Sequence, residues 1–122
     1  LQALAPVSAK MSAADSAALS ARLRAAAAEI LGAAFERTGA SVLVSFENLN
    51  SPYYATAGYP AITIPLGLRV RGSMMQQASV STVGMPVGIT FIGKGGDDAR
   101  LLAFAYAFEQ ASKKRVPPPD LP

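Results

Sequence analysis

The chain has 122 residues, 51% of them apolar, and eleven Lys and Arg against eight Asp and Glu leave a net charge of +3. That length suits one domain at most, and the apolar share excludes disorder throughout, although much of it is alanine, which buries little area per residue. With neither cysteine nor histidine, disulfides, thiolate nucleophiles, imidazole bases and the commonest metal ligand are all excluded.

From Ser12 to Thr38 the pattern is helical. Leu19, Leu23, Ala27, Ile30, Leu31, Ala34 and Phe35 recur at spacings of three and four and draw one apolar stripe. Arg22, Arg24, Glu29, Glu36 and Arg37 are interleaved and face elsewhere. Ser12 or Asp15 caps the start, and Gly39 ends the helix in a left-handed turn. A strand follows over 41–46, and its three consecutive apolar residues, Val42, Leu43 and Val44, predict burial on both faces, as in a parallel or central strand. Asn48 to Pro52 is loop by composition. Ser51 then caps a short helix with Pro52 at its first position, Gly58 ends it, and Pro60 prevents its continuation.

Residues 61–64 form a second strand closed by Pro65. A long, weakly patterned loop spans 68–84, and a third strand, 87–92, sets Val87, Ile89 and Phe91 on one face. Those two strands are expected to pair antiparallel. Gly93 to Gly96 turns the chain into a helix over 97–112, opened by Asp97 and Asp98 with favourable charge at its N-terminus. Leu101, Leu102, Ala105, Phe108 and Ala111 or Ser112 make its buried stripe. Pro117 to Pro119 stops regular structure and leaves 113–122 as a tail. The fold class is α/β: a layered arrangement of a long helix, about three short strands and a C-terminal helix.

Candidate chemistry is sparse. Gly93-Lys94-Gly95-Gly96 before a helix invites comparison with a phosphate loop, but Asp97 and Asp98 sit where the anion would bind, and the Walker spacing is missing. Adjacent acids on a helix point apart, so those two read as capping residues and no metal is expected. No Ser-x-x-Lys and no Gly-x-Ser-x-Gly occurs, and a serine without a base is a weak nucleophile. No catalytic residue and no cofactor is therefore assigned. Tyr53, Tyr54 and Tyr59 cluster before the second strand, where they could line a substrate passage with an apolar ring and a polar tip, or simply pack the rim of the short helix. The basic run Lys113-Lys114-Arg115 is too short for a nucleic-acid stripe. No apolar run reaches the roughly 18 residues of a membrane span. Lack of a basic-then-apolar leader, together with lack of cysteine, suits a cytoplasmic setting. Leu1 in place of methionine points to a processed or truncated polypeptide.

Five short motifs in register carry a family resemblance. Gly58-Tyr59-Pro60-Ala61, Pro65-Leu66-Gly67, Gly84-Met85-Pro86-Val87-Gly88, Asp97-Asp98 and Phe108-Glu109-Gln110 occur in the order seen at the C-terminal end of amidase signature enzymes, a resemblance covering roughly residues 51–116. The resemblance implies that 1–122 is the C-terminal portion of such a domain, from a parent that hydrolyses carboxamide C–N bonds. It also implies that the parent's Lys, cis-Ser and nucleophilic Ser lie outside this segment, so that the segment is inactive by itself. Its partner is then the missing N-terminal half of the fold, and apolar faces left open without that half predict a homo-oligomer formed by strand or helix exchange. A free-standing protein-interaction module that keeps the fold remnant is the alternative, and an active small hydrolase is disfavoured by the missing residues.

Overall fold

The computed structural model describes residues 11–70 and 83–115. Helix α1, Ala13–Thr38, begins at Ser12, whose Oγ accepts from the Asp15 N–H at 3.1 Å and donates to Asp15 Oδ2 at 2.6 Å. That reciprocal cap satisfies a backbone donor that the first turn leaves free. At the other end Gly39 adopts φ 64° and sends its N–H to the Phe35 carbonyl, a left-handed stop that costs glycine nothing.

Strand β1 (Leu43–Phe46), helix α2 (Ser51–Ala57), strands β2 (Ala61–Leu68) and β3 (Pro86–Ile92), and helix α3 (Asp98–Ser112) follow. The strands form one sheet in the order β1-β3-β2, and β3 pairs antiparallel with both neighbours. The sheet separates two apolar clusters. On one face α3 lays Leu101 and Ala105 against Phe91 and Ile64. Phe91 also meets Phe104 and Phe108 edge-on at centroid distances of 5.0 and 5.2 Å, contacts worth about 0.5–1.5 kcal/mol each beyond the area they bury. On the other face Ala27 and Leu31 of α1 pack on Ala57 of α2, with Leu43 of β1 against them.

Several sequence expectations need correction. The Val42-Leu43-Val44 run predicts a parallel or central strand, yet β1 is an antiparallel edge strand and Val44 is 57% exposed. An apolar triplet reports how much surface a strand can bury, not whether a neighbour is present to bury it. Pro65 does not close β2, which runs on to Leu68. The Gly93 N–H bonds the Pro60 carbonyl, so by alternation Ile62 and Ile64 bond toward β3 while Pro65 faces the outer edge, where a missing N–H costs no ladder bond. Just beyond it a bulge between Pro65 and Gly67 shifts the register, with Gly67 at φ 136°. Ser51 is the first residue of α2 rather than its cap. Asn50 holds the cap position without a side-chain cap bond, its amide being engaged by Ser45 Oγ at 3.1 Å. Leu102 is 59% exposed, one residue round the helix from buried Leu101. Arg69 and Gly84 extend the β2–β3 stem through bonds at 2.8 Å, so the predicted 68–84 loop starts later than expected. Its residues 71–82, and the predicted tail beyond Arg115, lie outside the described residues.

Candidate functional site

Two hollows and one polar cluster lie where the layers meet. The first hollow, about 410 Å³, opens between α1, β1 and α2. Ile30, Leu31, Ala34, Leu43, Val44 and Ile92 give it an apolar wall, and Asn50 and Tyr53 supply its polar groups. The second, about 330 Å³, is lined by Gly32, Phe35, Glu36, Tyr59, Lys94 and Gly95. Here Lys94 Nζ lies 5.5 Å from the Phe35 ring centroid, within cation–π range, and the Phe35 and Tyr59 rings are 6.3 Å apart.

The three tyrosines therefore occupy three settings. Tyr53, 48% exposed, borders the first hollow. Tyr59 borders the second, its hydroxyl makes a long, 3.5 Å bond to the Ala28 carbonyl, and its ring shares with Tyr54 the packing against the α1–α2 cluster. Tyr54 packs against the Ala27–Leu31–Ala57 cluster between α1 and α2. Neither of these two hollows gathers all three.

The polar cluster is one that sequence reasoning missed. Ser45, Thr90 and Thr63 stand opposite one another across β1, β3 and β2. Ser45 and Thr90 are buried, so their hydroxyls need partners. Thr63 Oγ1 and Thr90 Oγ1 are 2.7 Å apart, and Thr90 donates to the Glu47 carbonyl, which makes Thr63 the donor to Thr90. Ser45 Oγ accepts from the Asn50 side-chain amide and its backbone N–H. Glu47 stands in left-handed backbone at φ 48°, unusual for a residue with a side chain, and is held from three sides. Its N–H reaches the Gly88 carbonyl at 2.9 Å, its carbonyl takes the Thr90 proton, and its carboxylate meets Arg69 Nη2 at 2.6 Å. The signal was in the sequence as a period of two: Thr63 and Thr90 each sit between apolar residues on a strand. What the sequence could not give was the register that brings them together.

Chemically the cluster ties a turn to a sheet. Each hydroxyl is committed to a fixed partner and no histidine exists to act as base, so none of them has the surroundings of an activated nucleophile. Asp97 holds the N-cap position of α3 without the side-chain cap bond expected of it and pairs with Arg100 at 3.8 Å, while Asp98 puts its charge in the first turn. No group of three or more acidic side chains gathers among the described residues, and among them no helix is long and apolar enough to cross a membrane.

Several of the motif residues have definite mechanical tasks. Pro60 accepts the bond that starts the β2–β3 ladder, and Pro65 and Gly67 flank the bulge. Gly88 lets β2 approach, since a Cβ there would lie 2.5 Å from Thr63 Cγ2. These turns sit on a helix–sheet–helix frame of the α/β class. An amidase family protein from Bacillus anthracis has a crystal structure that superimposes on 92% of this chain with a TM-score of 0.75 and 28% identity, using 20% of its own chain. A glutamyl-tRNA(Gln) amidotransferase subunit from Caldanaerobacter subterraneus subsp. tengcongensis is 37% identical over 78 residues, 64% of this chain and 13% of that protein. A putative amidase from Arthroderma benhamiae is 38% identical over 69 residues, 53% of this chain and 12% of its own. No family model matches the chain. Over the part of its length that these matches cover, the chain is similar to proteins of the amidase signature family, and it spans about an eighth of the length of the curated relatives it matches.

Proposed function

We propose that this chain is the C-terminal structural part of an amidase-like serine hydrolase acting on carboxamide C–N bonds, and that it is inactive by itself. The observation that carries this reading is the fit of 92% of the chain to one-fifth of an amidase family structure, combined with a sequence that offers no histidine, no cysteine and no Ser-x-x-Lys. The partner is the rest of an amidase fold, in the same or a separate polypeptide, in a cytoplasmic setting. On this reading Tyr53 and Tyr59, at the two hollows, belong to the wall of a substrate passage that the rest of the fold completes, with Tyr54 behind them. The division of labour follows from chemistry: the other part brings the nucleophile and its base, and this part holds the turns that shape the wall.

The test is amide hydrolysis by this chain alone, and again after adding a separately expressed upstream half of an amidase signature enzyme. Turnover only in the mixture is expected. Turnover by the chain alone overturns the assignment and returns attention to its serines and lysines. The alternative, a free-standing interaction module, is favoured by one observation: the first half of α1 stands exposed with leucines on it. A mixture that binds but never turns over would favour that module.

A further inference from the structure

Two glycines of the second hollow are not explained by backbone or packing. Five of the described glycines stand at positive φ, where a side chain is disfavoured. At Gly88 and Gly93 an added Cβ would meet neighbouring atoms at 2.5 and 3.4 Å, so the chain's own packing leaves little room there. Among the described residues only Gly32 and Gly95 have neither reason, and both line the same hollow. Gly32 is the single glycine of the alanine-rich helix α1, where alanine is the more stabilising residue. An added Cβ there would meet only the Tyr59 hydroxyl, at 3.9 Å, an ordinary contact. Gly95 lies in the turn closed by the Asp97 N–H on the Lys94 carbonyl. That turn requires a glycine at Gly96, φ 86°, and accepts other residues one position earlier. A Cβ on Gly95 would come no nearer than 3.8 Å to the Tyr59 ring. Both glycines therefore keep open the space beside the Tyr59 hydroxyl and ring edge, although this chain would accommodate alanine at either.

The groups around that space carry both signs of charge. Lys94 and Glu36 line the same hollow, yet neither forms an ion pair with the other or with another described residue. Lys94 Nζ rests over the Phe35 ring instead, and the Tyr59 hydroxyl has only its long bond to Ala28. An ammonium and a loosely committed hydroxyl suit a carboxylate, while the Glu36 carboxylate suits an ammonium and opposes a dianion. We propose that this hollow binds a small zwitterion, its carboxylate taken by Lys94 and Tyr59 and its ammonium by Glu36, at the close approach to α1 that Gly32 permits. At about 330 Å³ the space lies at the small end of ligand pockets, which limits the ligand to few heavy atoms. Going beyond the amidase reading, the site is built wholly from this chain's residues, and its test needs no turnover.

The experiment is an NMR titration of the isotope-labelled intact chain, following backbone amides. The probes are glycine, β-alanine and γ-aminobutyrate, zwitterions of increasing charge separation, added to about 20 mM so that a millimolar site is populated. Expected are shifts centred on Gly32, Tyr59 and Lys94 for at least one probe. Its affinity should exceed that of acetate or ethylammonium, which satisfy one end only, by about 5-fold or more. Lys94→Met and Glu36→Gln should each weaken binding about 5- to 10-fold. Gly32→Ala gives the sharper readout. Its methyl group adds helix propensity and fills the cradle, so Tm should rise by about 4 °C while binding weakens about 10-fold. The proposal is overturned if no zwitterion shifts these amides, or if acetate binds as tightly as all three. It is equally overturned if Gly32→Ala leaves binding unchanged, or lowers Tm and so shows the glycine to be a packing requirement.

Discussion

The two halves of α1 have similar compositions and opposite fates. Residues 27–35 bury Ala27, Leu31 and Phe35 against α2 and Tyr59, whereas residues 13–26, just as rich in alanine and with Leu19 and Leu23 among them, bury nothing. The second half is held by packing. The first is held by alanine's intrinsic propensity and by the Ser12 cap, and it spans roughly 21 Å at 1.5 Å per residue. An isolated helix of that length is marginal in water. The contrast teaches that a period of 3.6 identifies what a helix is able to bury, while the neighbours decide what it does bury.

The most direct way to break the comparison is to truncate one leucine on each side of it. Leu31→Ala removes a buried side chain from the α1–α2 contact and should cost about 2–4 kcal/mol in urea unfolding. Leu23→Ala, measured at concentrations too low for copies to associate, should change stability by less than about 0.5 kcal/mol. Equal losses at the two positions would mean that the exposed half has a partner within the monomer.

A second contrast lies within the sheet. Gly88 on β3 leaves room for Thr63 on β2, and a Cβ there would sit 2.5 Å from Thr63 Cγ2. Gly88→Ala should therefore destabilise by about 1–3 kcal/mol through overpacking. Thr63→Ser removes the offending methyl and keeps the hydroxyl that bonds Thr90, so adding it should recover much of the loss in the double variant. Thermal unfolding of the four proteins forms a closed cycle. Additive losses would show that the clash is relieved by backbone movement instead.

How far the sequence was legible follows the same line. Helix ends were readable because Ser12, Gly39 and Gly58 act locally, through one cap bond or one left-handed turn. The antiparallel pairing of β2 with β3 was readable from their succession along the chain. What stayed hidden depended on distant partners: the edge position of β1, the passage of β2 through Pro65, and the row Ser45–Thr90–Thr63 with its Glu47–Arg69 pair. Glu47 is the clearest case, since no local signal distinguishes a glutamate that takes a left-handed turn because β3 and Arg69 hold it there. The tyrosines were legible as a cluster in sequence, but the fold distributes them between two hollows and a helix interface.

The smallest expected effect sharpens the opening contrast most. Ser12→Ala removes both bonds between Ser12 and Asp15, a change that costs a helix about 0.5–2 kcal/mol where the helix unfolds as one unit. Here the first half of α1 is able to fray without disturbing the cluster around Leu31, so the loss should fall on local opening and leave global unfolding almost untouched. Amide hydrogen exchange should accelerate over residues 16–24 and stay unchanged over 30–38. If protection fell equally along all of α1, the helix would be one cooperative unit and its exposed half would be held by the buried one.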